Sequence, residues 1–458
     1  MKAENMKTKL TAIVLLTMGT LSLASSPAEA LDLLETYDAA LHHDPMRLAA
    51  DQALLAGQEK RIQGDALLKP RVDLQAGLSQ NHDEVSVNAP PALASFFPSS
   101  SSGTLRQAGV QLVQPLYDPK AKANRAQLRE QSQLADAQFK QASMDLMRRV
   151  SESYIGVLSA MEAVKVIQAQ KQALALQLDR AQARFEVGRG KITEVQETQA
   201  RYDQLLAREI QIRSALEMQQ ARFAELTGLQ AQSLATLPEG WKPGIVQPDS
   251  LASWQDLGQD NSPQVKVYRS ELEIARAEVD KSSLQSRPSL NLVASYAMQG
   301  QSGGLSPLVS ANNAHTAMLG VQFNLPLYEG GAIDSRARES AARLGEAEDR
   351  LAAAQADLRL RVQDTYLTLK ADNARVVAFE QSYRSAQTAL DATLLGRDVG
   401  TRTQLDVLDA EQRLYSSEFD LVQSRLDSLL AGLQLNLAAG VLDEGVLHQF
   451  NAQLQTSH

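Results

Sequence analysis

The residues best placed to do chemistry in this sequence are two aspartates near its C-terminal end. Asp406 and Asp409 follow Gly400 in the stretch VGTRTQLDVLDAEQRLY. Acids three residues apart lie on the same face of a helix. Carboxylates gathered around a constriction favour cations and bind multivalent ones. An ordinary solvated helix face contains the same residue types, so the pattern alone leaves both interpretations open.

The same arrangement occurs a second time. Glu194 and Glu197 follow Gly188 in VGRGKITEVQETQARYD, and Gly188 precedes Gly400 by 212 residues. Each glycine suits the left-handed position that ends a helix. A threonine ahead of each acid pair suits the first position of the next helix. We therefore expect two helix–turn–helix tips, each carrying two acids just after the turn.

Beyond these acids, the sequence contains no pattern that predicts a reaction. His42 and His43 are adjacent, which is not the spacing of metal ligands on a helix face. There is no glycine-rich phosphate loop, zinc motif or nucleophile elbow. The formal net charge of -9 disfavours nucleic acid as a partner. We expect a protein that is not an enzyme and holds no metal or cofactor.

The N-terminal segment, residues 1–30, predicts an export signal. Two lysines precede an apolar run at 10–23, and residues 28–30 read Ala-Glu-Ala, a small-residue cleavage site. A first transmembrane helix is the alternative, although the run is short for one. We expect the mature chain to begin near Leu31 without a lipid anchor, because no cysteine follows the cleavage site. No later stretch has the eighteen or so consecutive apolar residues of a transmembrane helix.

Self-comparison shows that the rest of the chain is one unit repeated. Pro45 matches Pro263 at an offset of 218, GVQLVQPLYD matches GVQFNLPLYE at 211, and the acidic tips match at 212. We assign residues 31–230 to the first copy, 231–261 to a linker, 262–441 to the second copy and 442–458 to a C-terminal tail.

Each copy is predicted to begin with the same elements. A helical segment, at 31–69 and about 262–286, leads to a strand, a loop and a second strand. In the clearest strand, Leu319, Val321 and Phe323 alternate with other residues. A period of two over about ten residues is what a membrane β-strand requires. It also fits a soluble hairpin with one buried face.

The remainder of each copy is predicted to be a long helical hairpin. Residues 119–186 contain no proline after the first position and one glycine, and aromatics make up only 5% of the chain. Val150 and Tyr154 belong to a coiled-coil seam. A helix of about 68 residues is on the order of 100 Å long. The hairpin is therefore a rod, with its turn near 187–193 in the first copy and near 399–403 in the second.

One chain offers four strands, which are too few to close a membrane barrel. Open strand edges are not tolerated in lipid. If the strands enter a membrane, several chains must share one barrel, with eight strands from two chains or twelve from three. A structural coiled-coil protein of the periplasm or cell surface is the competing interpretation. It explains the seams, but it leaves the four symmetric strands without a role.

On these features the chain resembles the TolC family of outer-membrane channel proteins. The resemblance covers essentially the whole mature chain. It rests on the repeat, the opening LDLLETYDAALHHDP, the KPRVDL and RPSLNL strands, the QPLYD and LPLYEGG strand exits, and the second tip. The resemblance implies a mainly α, internally duplicated fold. Long antiparallel coiled-coil helices would form an α-barrel, and four strands per chain would join a twelve-stranded barrel shared by a homotrimer.

The resemblance also implies a location and partners. The trimer would sit in the outer membrane, with its tunnel crossing the periplasm. It would dock onto a periplasmic adaptor protein and an inner-membrane ABC or RND-type pump. It would act as a passive exit duct for secreted proteins or small toxic compounds. The opening motif and the lack of a lipidation cysteine favour the branch that serves protein secretion.

The resemblance assigns roles to residues at the tips. The positions of Asp406 and Asp409 form a cation-selective ring at the periplasmic mouth. The position of Arg402 ties the closed mouth to Glu194, with help from Thr193.

Two positions depart from the family pattern. Arg397 stands where the family often has a tyrosine, and Glu197 stands where it is often neutral. We hypothesise that an Arg397–Glu194 pair replaces the tyrosine hydrogen bond.

The turns at Val187 and Gly188 and at Val399 and Gly400 are where the family contacts the adaptor. A plain helix end explains the two glycines equally well. The linker packs around the middle of the tunnel in the family, and we expect its two tryptophans to be packing residues.

Overall fold

The computed structural model describes residues 30–84, 100–238, 240–244, 246–302 and 311–455. The expected export signal lies outside these ranges except for Ala30. Within them the helices are α1 (Leu33–His43), α2 (Pro45–Ala66), α3 (Pro119–Glu186), α4 (Ile192–Thr227), α5 (Leu251–Asn261), α6 (Pro263–Ser283), α7 (Ala332–Asp398), α8 (Gln404–Ala438) and α9 (Glu444–Asn451). The strands are β1 (Arg71–Glu84), β2 (Ser100–Tyr117), β3 (Ser289–Ser302) and β4 (Ala311–Asn324).

The first helical segment of each copy is two helices rather than one. Asp44 ends α1 and begins α2, and its side chain accepts a hydrogen bond from the Arg47 N–H at 2.9 Å. Ser262 plays the same part between α5 and α6 and accepts from the Val265 N–H. A proline follows each cap at the first helical position, where its missing N–H is not needed.

Helix α5 lies inside the segment that the sequence assigned to the linker, residues 231–261. It starts 218 residues after α1 and has the same length of 11 residues, so it occupies the place of α1 in the second copy. The sequences of the two helices share only their first leucine and one aspartate, which is why self-comparison did not detect the pair. The linker proper is therefore the irregular chain before Leu251.

The four strands form one antiparallel sheet in the order β1-β2-β3-β4. The central β2–β3 pair joins the two copies, with Val110 opposite Tyr296. Leu74 pairs with Val110, and Ala317 pairs with Tyr296, so these residues share one face. That face is apolar and open, because Leu74 is 76% exposed and is flanked by other exposed apolar side chains. The predicted alternation is confirmed, and β1 and β4 are free edges within the described part of the chain.

The long helices are continuous. Helix α3 has 68 residues and α7 has 67. Helices α4 and α8 fold back along them, and α8 packs against both α7 and α3, so the two hairpins share one layer. At about 1.5 Å per residue, each long helix extends roughly 100 Å from the sheet. The described chain contains no helix that is both long and apolar enough to cross a membrane.

The largest core lies midway along the rods. Tyr154 and Phe223 are fully buried there beside the linker residue Trp241. The Tyr154 hydroxyl lies 2.7 Å from the Ala235 carbonyl oxygen and 3.0 Å from that of Leu31. Desolvation by burial raises the pKa of Tyr154 well above its usual range. The start of the described chain, the linker and the C-terminal tail are thus fastened to the middle of α3.

Candidate functional site: the two hairpin tips

Both hairpin turns have the same backbone geometry. Gly188 has φ of 73° and Gly400 has φ of 80°, the left-handed conformation that the sequence predicts. The N–H groups of Gly188 and Gly400 donate to carbonyls three residues back, at 2.9 and 3.0 Å. The next residue in each turn, Arg189 or Thr401, donates to a carbonyl five residues back at 2.8 Å. This pair of bonds is the Schellman motif, which closes a helix with a glycine at the reversal.

Each turn exposes apolar side chains at the end of the rod. Val187 is 69% exposed and Val399 is 67% exposed. Leu395, one turn before Val399, is 67% exposed, and Ile192 after the first turn is 47% exposed. Clustered apolar side chains in water favour contact with a partner. The four contact residues predicted from the sequence therefore lie at the outermost surface of the tips.

The two tips begin their second helices differently. Thr403 caps α8 in a capping box, in which its N–H and hydroxyl donate to Asp406 Oδ2 at 2.8 and 2.9 Å. Helix α4 starts after Lys191, which makes no side-chain cap bond, and Thr193 is the second residue of that helix. Asp406 and its counterpart Glu194 thus both lie in the first turn of their helices, but only Asp406 is held by a cap side chain.

The capping box also sets the charge of Asp406. The Thr403 N–H and then its hydroxyl stabilise the carboxylate, with smaller help from Arg402 and Arg413, and they lower the pKa of Asp406. A hydrogen bond to the charged form favours that form. Asp406 therefore stays ionised at acidities where a free aspartate begins to take up a proton.

Asp409 has a partner within its own chain. Its Oδ1 lies 2.6 Å from Nη2 of Arg201, which belongs to α4 of the other hairpin. The Asp409 side chain is still 48% exposed. Arg201 is not among the site residues predicted from the sequence. Its only signal is a base seven residues after Glu194, on the same helical face.

The other predicted gate residues do not meet in the single chain. Arg402 and Glu194 form no ion pair with each other among the described residues, and Glu197 is exposed on α4. Arg397 binds its neighbour Asp398, with Nη2 2.8 Å from Oδ1. The hypothesised Arg397–Glu194 pair is therefore absent within the chain. The reason is local, because Asp398 is the next residue and ends the same helix.

A buried polar chain near the tips was not foreseen. The Gln404 amide donates to Gln177 Oε1 at 3.1 Å, and the Gln177 amide donates to Glu411 Oε1 at 2.9 Å. Arg184 donates to Gln404 Oε1 at 3.3 Å. Gln177 and Gln404 are each only 5% exposed. These contacts join α3 to α8, because buried amides need partners and find them across the two hairpins.

Glu411 at the end of that chain is electrostatically unusual. Desolvation by burial raises its pKa, against the opposing effects of the Gln177 hydrogen bond and of Arg397 and Arg180. Burial disfavours the charged carboxylate. The two carboxylates Asp406 and Glu411 thus have opposite pKa shifts within five residues of one helix.

A groove of about 720 Å³ lies between the hairpins beside these groups. Arg201, Arg208, Asp409, Glu411 and Tyr415 are among its lining residues. Within the described ranges, no group of three or more histidine or acidic residues is placed to hold a metal ion. In this lining two arginines lie beside two acids, so the groove of the single chain carries no excess of negative charge.

Comparison with known proteins identifies the family to which this chain belongs. The sequence profile described as outer membrane efflux protein matches residues 36–229 and 255–441. The chain is 31% identical over 429 residues to alkaline protease secretion protein AprF of Pseudomonas aeruginosa, covering 93% of this chain and 88% of that protein. It is 30% identical over 452 residues to outer membrane protein TolC of Vibrio cholerae, covering 99% and 100%.

A solved structure agrees on the fold. The outer membrane protein VceC from Vibrio cholerae superposes with a TM-score of 0.71 at 21% identity, over 89% of this chain and 96% of that chain. The profile match spans both copies of the repeat and includes both tips. The chain belongs to the outer membrane efflux protein family, whose members are TolC-like channels of the outer membrane.

Proposed function

We propose that three copies of the chain form one passive exit duct through the outer membrane and periplasm. The observation that carries this proposal is the sheet, which has an exposed apolar face and two free edges at one end of a rod of about 100 Å. Free edges are excluded from lipid, so β1 of one copy pairs with β4 of the next. Three copies give a closed barrel of twelve strands, and their helices continue it as a tube.

Exposed apolar stripes on the outer helices support this assembly. The helices pack in the order α2–α3–α6–α7, so α2 and α7 are the margins of the layer. On α2, Leu48, Leu55 and Ile62 recur every seven residues and are 46%, 56% and 54% exposed. On α7, Leu360 and Leu367 have the same spacing and are 68% and 52% exposed. A heptad stripe on each margin is what a coiled-coil contact between neighbouring copies requires.

The tips are the periplasmic mouth in this proposal. Asp406 and Asp409 from each of three copies ring the opening and make it cation-selective. The exposed turns at Val187 and Val399 receive a periplasmic adaptor protein, which links the duct to an inner-membrane ABC or RND-type pump. Contacts of Arg402, Arg397, Glu194, Thr193 and Glu197 with a neighbouring copy hold the mouth closed.

The descriptions of two relatives indicate a class of cargo. AprF and PrtF are described as secretion proteins for alkaline protease and for proteases, and TolC as an outer membrane protein. We infer that this chain serves protein export, with small toxic compounds as a second class of cargo. The energy comes from the pump, so the duct itself needs no cofactor and catalyses no reaction.

Extraction and sedimentation of the full-length protein test the assembly. The duct predicts that release from membranes requires detergent and that the purified particle has the mass of three chains. A Leu48→Asp/Leu55→Asp variant should shift toward single chains, while Leu176→Asp, an exposed change on α3, should not. Release by salt alone as a rod-shaped particle would favour the structural coiled-coil alternative.

A further inference from the structure

We propose that a basic groove at the sheet end of α3 binds the phosphate headgroup of an anionic phospholipid in the periplasmic leaflet of the outer membrane. The groove has a volume of about 540 Å³, and Lys122, Arg125 and Arg129 supply its cations. This inference rests on the proposed insertion of the sheet into the membrane. It adds a lipid ligand that the duct itself does not require.

The charges of the groove favour an anion. Asp65 Oδ1 accepts a hydrogen bond from Nε of Arg125 at 2.6 Å and another from Nη2 of Arg129 at 3.2 Å. It therefore occupies one nitrogen of each guanidinium and leaves the others for phosphate oxygens. Glu130 is the acid in the lining itself. Among the described residues, Lys122 belongs to no ion pair, so its charge is unneutralised.

The groove lies directly beneath the apolar face of the sheet. On β2, Gln114 shares its side of the strand with Val110 and Leu112, which pair with exposed apolar residues of β1. The Gln114 amide donates to the carbonyl oxygen of Leu68 at 3.0 Å. Leu68 lines the basic groove. A continuous surface thus runs from the apolar face of the sheet to the groove.

The position of the groove along α3 indicates which side of the helix it occupies. Ala126 and Gln133 line the groove, and they precede Tyr154 by four and three heptads on the same face of the helix. The Tyr154 hydroxyl contacts the linker at the Ala235 carbonyl. The groove is therefore on the side of α3 that carries the linker.

The height of the groove matches a headgroup layer. Helix α3 begins two residues after Tyr117, a 47% exposed aromatic of the kind that lies at membrane interfaces. Lys122 and Arg129 lie roughly 5 to 15 Å below the first residue of the helix. Helical side chains tilt toward the N-terminus of their helix, which here is the membrane side. Their ammonium and guanidinium groups therefore reach up toward lipid phosphates.

The second copy of the repeat lacks two of the three bases, although the offset of 211 places Arg336 at the position of Arg125. The two offsets that relate the copies in this region, 211 and 212, place Ile333 or Asp334 at the position of Lys122. They place Ser340 or Ala341 at the position of Arg129. The pair Lys122 and Arg129 therefore has no counterpart in the second copy, which predicts one preferred lipid for each subunit.

Native mass spectrometry of the detergent-purified trimer tests the proposal, with phosphatidylglycerol and phosphatidylcholine of identical acyl chains as probes. We expect selective retention of phosphatidylglycerol, up to one molecule per chain. In Lys122→Gln/Arg129→Gln we expect its affinity to fall about fivefold per charge removed, or about 25-fold in total. Lys122→Arg should retain the wild-type affinity. Lys140→Gln/Lys165→Gln, which removes two exposed charges farther along α3, is the matched control.

Equal retention of the two lipids by the wild type, or equal loss in the test and control variants, would overturn the proposal. Displacement of the lipid by equimolar glycerol phosphate would also overturn it, because the site would then bind a free phosphate rather than a membrane lipid. A trimer that requires detergent but shows no lipid preference contradicts this inference alone. A particle that is not trimeric contradicts the proposed duct as well.

Discussion

Nη2 of Arg201 lies 2.6 Å from Oδ1 of Asp409, which joins the two hairpins of one chain close to their tips. Asp406, one turn earlier, is held by the N–H and hydroxyl of Thr403. Both acids of the proposed ring are therefore fixed by their own chain before a neighbouring copy is added. Their availability to cations depends on these two intrachain contacts.

Removing the base should strengthen cation binding at the mouth. In Arg201→Gln, Asp409 loses its counter-ion and is free to face the opening. A partly exposed ion pair contributes about 0.2 to 1 kcal/mol, so the half-blocking concentration of a trivalent cation should fall by about 1.5- to 5-fold. Arg208→Gln, an exposed change one heptad along α4, is the control. Weaker block in Arg201→Gln, or an equal change in the control, would contradict the prediction.

The capping box should make the block persist in acid. A carboxyl group with a lowered folded pKa stabilises the fold above its unfolded pKa, about 3.9, and loses that effect as pH falls through the folded pKa. The pKa of Asp406 is lowered first by the Thr403 N–H and then by the hydroxyl. Thr403→Val removes the hydroxyl and should raise the pH at which trivalent-cation block is half lost, measured between pH 3 and 6.

Thr401→Val is the control for that titration. The Thr401 hydroxyl bonds the Gly396 carbonyl at 3.0 Å and does not touch Asp406. A titration that is unchanged in Thr403→Val, or shifted equally in Thr401→Val, would show that the cap does not govern this charge.

Glu411 should have the opposite dependence on pH. Its pKa is raised by burial, so the ionised form costs stability above the folded pKa, and the cost disappears as pH falls to its unfolded value near 4.3. Glu411→Gln keeps an oxygen for the Gln177 amide and removes the charge. We expect a higher thermal midpoint than wild type at pH 7 and no difference near pH 4. Asp420→Asn changes an exposed residue of the same helix and should raise the thermal midpoint at neither pH. A lower midpoint for Glu411→Gln than for wild type at pH 7 would contradict the prediction.

A Cβ atom at Gly400 should destabilise the second turn. Gly400 has open space around it, so the effect of Gly400→Ala is purely conformational and should destabilise by about 1 to 2 kcal/mol. Gly345→Ala is the matched control, because Gly345 lies inside α7 with equally open space and should gain about 0.5 to 1 kcal/mol. The free energies of unfolding of the two variants, measured with denaturant, should change in opposite directions. Equal shifts would mean that the turn is not held left-handed.

The sequence predicts the architecture because each element repeats a simple pattern. The alternation around Val321 and the uninterrupted helix of 68 residues both follow from local periodicity. The place of Thr403 at the start of α8 follows from capping chemistry alone. Helix α5 could not be found this way, since its sequence has diverged from that of α1 and neither contains a strong seam.

The tip contacts are harder to predict for a different reason. Arg201–Asp409 and Gln177–Glu411 join residues more than 200 positions apart, and nothing local marks them as partners. Their pairing depends on the register between the two hairpins, which is set by side-chain packing along the whole rod. Arg397 shows the converse, because the nearest acid in sequence, Asp398, takes its guanidinium.

The most direct test of the central claim is the conductance of the purified protein in planar bilayers, compared with Asp406→Asn/Asp409→Asn. The control is Glu194→Gln/Glu197→Gln, the matching acids of the other tip. We predict small, long-lived, cation-selective steps that trivalent cations block, with the block lost in the aspartate variant and largely kept in the control. A detergent-stable trimer that passes no current would contradict the duct. If the block survived in the aspartate variant and disappeared in the control, the cation-selective ring would lie at the first tip and not at the second.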